Sequence, residues 1–132
     1  MPDMTDPGYW DAAILRATGR LLMLAAFNDQ PGHGYDIAHR LSALCGDWCN
    51  PSPAMIYPAI HELEAAGLIE CELDSSSARK RRVCHLTAEG REALRVGVQA
   101  WSSFLPTMAR VLAASGGEAA SPDAPSGAPC HL

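Results

Sequence analysis

Residues 52–90 read SPAMIYPAIHELEAAGLIECELDSSSARKRRVCHLTAEG. A helix, a short hairpin and the start of a second helix follow one another directly in this stretch. Ser52 is suited to the N-cap of the first helix, and Pro53 fits the first helical position, where a missing N–H costs nothing. Gly67 is the residue expected just after its C-terminal end. We therefore predict a helix from about Ser52 to Ala65.

This helix has one apolar face. Ile56, Ile60 and Leu63 recur at steps of four and three, which places them on one side. Tyr57 and His61 fall off that stripe. The helix should bury the first face in a core and present the second to a partner outside the fold.

A basic hairpin follows the helix. Residues 68–73 and 82–86 resemble two short strands, and the serines at 75–77 suit a turn between them. Four consecutive cations lie at the turn and at the start of the returning strand: Arg79, Lys80, Arg81 and Arg82. Thr87 then caps a new helix, with Glu89 in its first turn, where the helix dipole favours an anion. A presented helix beside a hairpin with a cationic edge is typical of a winged helix-turn-helix that lies on a phosphate backbone.

Three strings of this sequence carry a family resemblance. HGYDIAHRL (33–41), IYPAIHELEAAGLIE (56–70) and HLTAEGREAL (85–94) resemble the PadR family of transcriptional regulators, in the same order and at the family's spacing. The resemblance covers roughly residues 14–112 and is most specific in the second string. It implies a homodimeric winged-helix repressor that a small molecule or a chemical signal releases from its DNA operator.

The resemblance and the pattern together predict a DNA-binding surface. In this interpretation the presented helix enters the major groove, where Tyr57 contacts a phosphate or a groove edge, as the matching family position implies, and His61 contacts a base or a phosphate. The cationic run contacts the adjacent phosphates. The predicted DNA-binding residues are Ser52, Met55, Tyr57, His61, Arg79, Lys80, Arg81 and Arg82.

The predicted fold class is mainly α with a small β-hairpin. We divide the chain into a flexible N-terminal extension (1–10), a winged-helix domain (11–86), a long C-terminal dimerisation helix (87–114) and a disordered tail (115–132) that is rich in Gly, Ala, Ser and Pro. Within the winged-helix domain we expect a helix over 11–28 and a second one from Gly34 or Tyr35, with Tyr35 and Leu44 among its inward residues.

Composition agrees with one small domain. A chain of 132 residues can build one core, and no apolar run approaches the roughly 20 residues that span a bilayer. We expect a cytoplasmic protein without a membrane partner. The net charge of −5 opposes DNA binding at first sight, but the cations cluster on the hairpin while many acidic residues lie near the ends of the chain.

The last helix combines dimerisation with a candidate sensor. Its apolar residues repeat at steps of three and four, which is typical of a helix that packs against a second copy: Leu94, Val98, Trp101, Leu105, Met108 and Leu112. The string AWSSF (100–104) resembles the segment with which short family members hold flat aromatic compounds between two tryptophans. We therefore predict a planar ligand on Trp101, with Val98 and Leu15 beside it; the alternative is that Trp101 is dimer packing.

The five cysteines provide a competing sensor. Cys45 and Cys49 lie four apart just before the presented helix, and Cys71 and Cys84 face each other if the hairpin turns between Ser77 and Ala78. Either pair can close as a disulfide, or can bind a soft metal with Cys130 and His131 of the tail. The metal hypothesis is weakened because the cysteines do not have the spacing of a recognised zinc site. Both the metal and the disulfide hypotheses compete with a plain alternative, since isolated cysteines are commonly buried core residues.

Two other function classes remain. An enzyme is not expected, because the chain has no Gly-rich phosphate loop, nucleophile elbow or metal dyad at helical spacing, and no cofactor is required. A protein-interaction module that does not bind DNA stays an alternative, and a missing salt-dependent DNA signal would favour it.

Overall fold

The structure, a computed structural model, describes residues 2–46, 51–75 and 81–117. These ranges contain four helices and two strands: α1 (Pro7–Asp29), α2 (Gly34–Cys45), α3 (Pro53–Ala65), β1 (Ile69–Asp74), β2 (Arg81–Leu86) and α4 (Ala88–Ala114). The strands form one antiparallel hairpin, the wing, in which Cys71 is paired with Cys84. The predicted fold class, mainly helical with a small hairpin, is confirmed.

The first helix begins earlier than expected. We predicted a start at Asp11, but α1 begins at Pro7 because the Asp6 carboxylate accepts a hydrogen bond from the Gly8 N–H at 3.0 Å and proline suits the first turn. Residues 7–10, which we had assigned to the N-terminal extension, therefore belong to α1.

One core joins every element. Its buried apolar side chains come from all four helices and from the wing: Met23, Leu24, Ala26, Phe27, Ile37, Leu41, Ile56, Ile60, Leu63, Ile69, Cys84, Leu86 and Leu94. The predicted apolar face of α3 is thus confirmed. Tyr35 and Leu44 of α2 are exposed instead of inward. Tyr35 is rotated about 200° from Ile37 on a helix of 3.6 residues per turn, and Leu44 lies in the last turn of α2.

The turn after α3 sets the position of the wing and of α4. Gly67 has a φ of +77°, and the Leu68 N–H donates to the Leu63 carbonyl at 3.0 Å, as in a Schellman motif. Thr87 caps α4 by accepting a hydrogen bond from the Gly90 N–H, and its own hydroxyl donates to the Gly67 carbonyl at 2.7 Å. The end of α3 and the start of α4 are therefore held together on either side of the wing.

The helix α4 extends beyond the core. Leu94 is buried and Gly97 lies against Leu21 of α1, whereas every residue from 102 to 117 is exposed. The helix continues through Pro106. Its outer half therefore presents an apolar stripe that the described residues of the chain do not cover.

Candidate nucleic-acid interface

The outward face of α3 lies opposite its buried stripe. It consists of small or compact side chains that are all exposed: Ala54, Pro58, His61 and Ala65. Of these four side chains, only that of His61 can hydrogen-bond. Tyr57 and Glu64 lie at one border of this face, towards α2 and the wing. The face can therefore approach a surface closely, with one polar contact at its centre.

Tyr57 has a structural contact as well as an exposed face. A Cβ atom placed on Gly34 would lie 3.0 Å from Cε1 of Tyr57, so the ring lies directly on the first residue of α2. The side chain is still 53% exposed. Packing on α2 fixes the ring while leaving its other side free for a ligand.

The described arginines of the wing point in opposite directions. Successive side chains of a strand alternate between its two faces, and the Arg82 guanidinium forms an ion pair with the Glu64 carboxylate of α3 at 2.5 Å. Arg81 lies opposite Asp74 in the hairpin and is exposed. Arg79 and Lys80 lie outside the described residues. The pairing with Glu64 could not be read from the sequence, because the two residues are 18 positions apart and on different elements.

A second polar link joins the wing to α2. The backbone N–H of His33 donates to Oδ2 of Asp36 at 2.9 Å, and Nδ1 of the ring lies at the same distance from that oxygen. The other ring nitrogen, Nε2, lies 3.3 Å from Oδ2 of Asp74 on the wing. The hydrogen bond from the His33 backbone lowers the pKa of the Asp36 carboxyl, although partial burial opposes it. The start of α2 is therefore tied to β1 by an imidazole between two carboxylates, which sequence reasoning missed.

Ser52 and Met55 are placed differently from Tyr57 and His61. Ser52 is the N-cap residue of α3, but its side chain makes no capping hydrogen bond; its carbonyl accepts from the N–H groups of Met55 and Ile56. Met55 lines a groove of about 450 Å³ between α1 and α3, away from the outward face. Of these four residues, Tyr57 and His61 therefore lie towards the exposed side of α3, whereas Met55 lines the groove.

The three predicted effector residues lie on two different helices. Leu15 lines the groove between α1 and α3, whereas Trp101 and Val98 lie on α4 and do not line it. Trp101 is half-buried and its ring contacts that of Phe104 edge to face, with centroids 6.1 Å apart.

The predicted opposition of Cys71 and Cys84 is confirmed, and the two are joined in a disulfide. Cys45 is a half-buried free thiol near the end of α2. Cys49, Cys130 and His131 lie outside the described residues. Within the described ranges, no group of three or more His, Cys, Asp and Glu side chains is arranged to hold a metal ion.

A helix presented on the outside of a three-helix body, followed at once by a two-stranded wing, defines the class of winged helix-turn-helix proteins. Residues 22–96 match the model of the transcriptional regulator PadR-like family. The chain belongs to this family, and the match spans the body, the wing and the start of α4.

Known proteins agree with this assignment. The transcriptional regulator Rv3488 of Mycobacterium tuberculosis is 38% identical over 79 residues, which cover 60% of this chain and 71% of that protein. The PadR-like transcriptional regulator BC4206 of Bacillus cereus superposes with a TM-score of 0.66 at 26% identity, over 76% of this chain and 96% of its own. A PadR-family regulator of Eggerthella lenta shares the fold, with a TM-score of 0.67 at 24% identity over 76% and 87% of the two chains. The protein is therefore a transcriptional regulator of the PadR family. No helix in the described part of the chain is long and apolar enough to cross a membrane.

Proposed function

We propose that this regulator is a homodimeric repressor that binds a double-stranded DNA operator. In this proposal the outward face of α3 enters the major groove, and the wing lies on the adjacent phosphates. The observation that carries it is the juxtaposition of an exposed α3 face, centred on His61 and bordered by Tyr57, with a strand that begins in two exposed arginines.

Electrostatics supports a contact that depends on the wing. With a net charge of −5, the chain as a whole repels DNA, so attraction has to come from a local concentration of cations. Arg81 and Arg82 provide the described part of it, and Arg79 and Lys80 directly precede them in the sequence. A dimer would carry two such clusters, which favours binding that falls steeply as salt is added.

Sequence recognition would depend strongly on DNA shape. Ala54, Pro58 and Ala65 carry no hydrogen-bonding side-chain atoms, so His61 is the residue of this face best placed to reach a base edge. A protein with few direct base contacts discriminates between sites through the energy needed to deform them.

The dimer is supported by the outer half of α4. Its exposed apolar residues include Phe104, Leu105, Met108, Val111 and Leu112. A contiguous apolar surface of this kind is typical of an interface rather than of a solvated helix. A second copy that offers the same stripe would cover it.

Release by an effector remains a proposal with two candidate sites. The planar-ligand hypothesis now depends on α4, where the rings of Trp101 and Phe104 touch, and on a partner subunit to complete the site. Quenching of Trp101 fluorescence by a panel of flat aromatic compounds tests it, with Trp101→Phe as the control for signal from the other tryptophans. The alternative is a thiol or soft-metal sensor that uses Cys45 and Cys49.

The decisive experiment removes the described cations of the wing. We expect Arg81→Ala/Arg82→Ala to leave the fold intact, to weaken binding to every duplex, and to lower the slope of log affinity against log salt by about 1–2 for each protomer bound, depending on whether Arg82 exchanges Glu64 for a phosphate. Fluorescence anisotropy on the protein's own upstream region and on an unrelated duplex measures both effects. Arg95→Ala/Arg110→Ala, which removes the same charge from α4, is the matched control.

Each outcome separates the candidate functions. Equal affinity for the wing variant and its control would show that the wing does not contact DNA. A parent protein with no salt-dependent affinity for either duplex would instead favour a protein-interaction module. Loss of repression of a reporter placed behind the upstream region, in cells carrying the wing variant, tests the sign of regulation.

A further inference from the structure

The disulfide between Cys71 and Cys84 crosses the middle of the wing on its inner face. The Cα atoms are 4.0 Å apart, and the paired residues nearer the body, Ile69 and Leu86, are both buried. Cys84 is 3% exposed, whereas Cys71 is half-buried. Three further residue pairs extend outward from the cross-link and end at Asp74 and Arg81. The disulfide thus separates an anchored half of the wing from a half that lies outside the core.

The two ends of the cross-link are held differently. The N–H of Cys84 donates to the Gly32 carbonyl at 2.9 Å, and its carbonyl accepts from the Gly32 N–H at 3.0 Å, so its backbone is attached to the turn before α2. Cys71 lies on β1, which is connected to the body through the turn that ends α3. When the bond is reduced, the two sulfur atoms have to separate to non-bonded contact. Because the backbone of Cys84 is attached to Gly32, we expect this separation to displace Cys71 and β1 rather than β2.

The outer half of the wing is held by polar contacts, of Arg82 with Glu64 and of Asp74 with His33, rather than by burial in the core. Leu73 is exposed, as are Arg81 and Arg82, and among the outer pairs only Val83 and Asp74 are partly buried. A two-stranded hairpin is marginally stable by itself in water. A cross-link inside it restricts the unfolded alternatives and so favours the paired form. We therefore expect the order of the segment that carries the cations to depend on the redox state of this pair as well as on those polar contacts.

We propose that Cys71 and Cys84 form a reversible thiol oxidation site that controls the order of the wing and, through it, the affinity for DNA. The effect on DNA affinity rests on the proposed function. In the oxidised state, the wing is held ready for the phosphates. In the reduced state, its outer half is mobile and affinity falls. Disulfides that form in reducing compartments are typically transient and sensory rather than structural.

The chemistry balances with a peroxide as oxidant. The thiolate of Cys71, the more accessible sulfur, attacks one peroxide oxygen; the O–O bond breaks, water or an alcohol leaves, and Cys71 becomes a sulfenic acid. The sulfur of Cys84 then attacks the sulfur of Cys71, the S–S bond forms and water leaves. Two thiols lose two electrons and two protons, and the peroxide is reduced. A dithiol returns both electrons and protons by exchange.

The experiment compares the full-length protein after peroxide treatment with the same protein after reduction by dithiothreitol. Mass spectrometry of alkylated peptides establishes the state of each cysteine. Hydrogen–deuterium exchange of the amides in the outer half of the wing (72–74 and 81–83) and anisotropy on the upstream duplex are then measured. On reduction we expect these amides to exchange about tenfold faster, because the free energy of local opening is then lower. The dissociation constant should rise about fivefold, if the ordered wing is populated a fifth of the time. Both changes should reverse on reoxidation.

Variants separate this site from the other thiols. Cys45→Ser/Cys49→Ser should respond as the parent does, and Cys71→Ser should behave as the reduced protein under all conditions. Cys71→Ser is preferred to a change at Cys84 because Cys71 is half-buried and its replacement nearly isosteric. Cys71→Ala serves as a second variant should the serine prove unstable.

The outcomes are distinguishable. Free thiols at both positions after peroxide, or identical exchange of the outer wing amides in the two states, would overturn the switch whatever the DNA result. Equal affinities of the two states, with DNA binding intact, would overturn its coupling to DNA. A difference in exchange in a protein that binds no duplex would leave the thiol switch standing and remove the proposed function.

Discussion

Gly90 lies where the first turn of α4 meets the backbone of the turn between α3 and β1. A Cβ atom at this position would be 2.0 Å from the Leu68 carbonyl oxygen, a distance that real atoms do not reach. The same carbonyl accepts a hydrogen bond from the Thr87 N–H. A single hydrogen atom in place of a side chain thus allows α4 to begin directly on this turn.

We expect Gly90→Ala to destabilise the protein by about 1–3 kcal/mol, because backbone has to move to relieve the overlap. This loss exceeds the gain of up to about 1 kcal/mol that alanine offers over glycine in a helix. Urea unfolding followed by circular dichroism measures the change. The control is Gly19→Ala in α1, where an added Cβ meets nothing within 4 Å and the helix should become slightly more stable. Equal effects at the two positions would contradict the close approach of α4.

The helix α3 carries two glutamates that act on opposite sides of it. Glu62 forms an ion pair with Arg20 of α1, on the side of the groove between α1 and α3. Glu64 forms one with Arg82, on the side of the wing. Exposed pairs of this kind add little stability. In the proposed DNA complex the pair at Glu64 would matter more, because it neutralises a cation that the wing would otherwise offer to a phosphate.

We expect Glu64→Gln to bind non-specific DNA about threefold more tightly at low salt, since it removes an anion near the phosphates and releases Arg82. Glu62→Gln removes the same charge from the same helix but on the other side, and should change affinity little. Anisotropy titrations at two salt concentrations compare the two variants. A larger effect at Glu62 would mean that the groove side of α3 faces DNA, contrary to our assignment.

At the scale of the whole molecule, the chain is divided into a body with a closed core and a helix that leaves it. The body buries its apolar side chains against one another, whereas α4 beyond Trp101 is exposed among the residues that the structure describes. A lone amphipathic helix of this length is marginal in water unless its apolar side is packed. In the proposed dimer a second copy would supply both the cover and a second α3 and wing.

We expect Leu105→Glu to yield a monomer, because it places a charge in the middle of the α4 stripe. Gln99→Glu adds the same charge on the polar side of α4, beside Arg95, and should remain dimeric. Light scattering coupled to gel filtration gives the mass of each. A dimeric Leu105→Glu protein would show that α4 is not the interface, and a monomeric parent would remove the dimer altogether.

The sequence by itself determined the helices and strands, the buried face of α3 and the opposition of the two wing cysteines. Caps, prolines, glycines and apolar periodicity act within a few residues, so they can be read along the chain. The predicted start of α1 at Asp11 was nevertheless wrong, because the N-cap at Asp6 lies in a polar stretch that resembles a flexible terminus.

Only the tertiary structure decided which residues of distant segments come into contact. Glu64 with Arg82, His33 with Asp74, the Tyr57 ring on Gly34 and the Cys84 backbone on Gly32 all join different elements. Local sequence rules carry no signal for such contacts, because each depends on the angle and distance at which whole elements pack in the core.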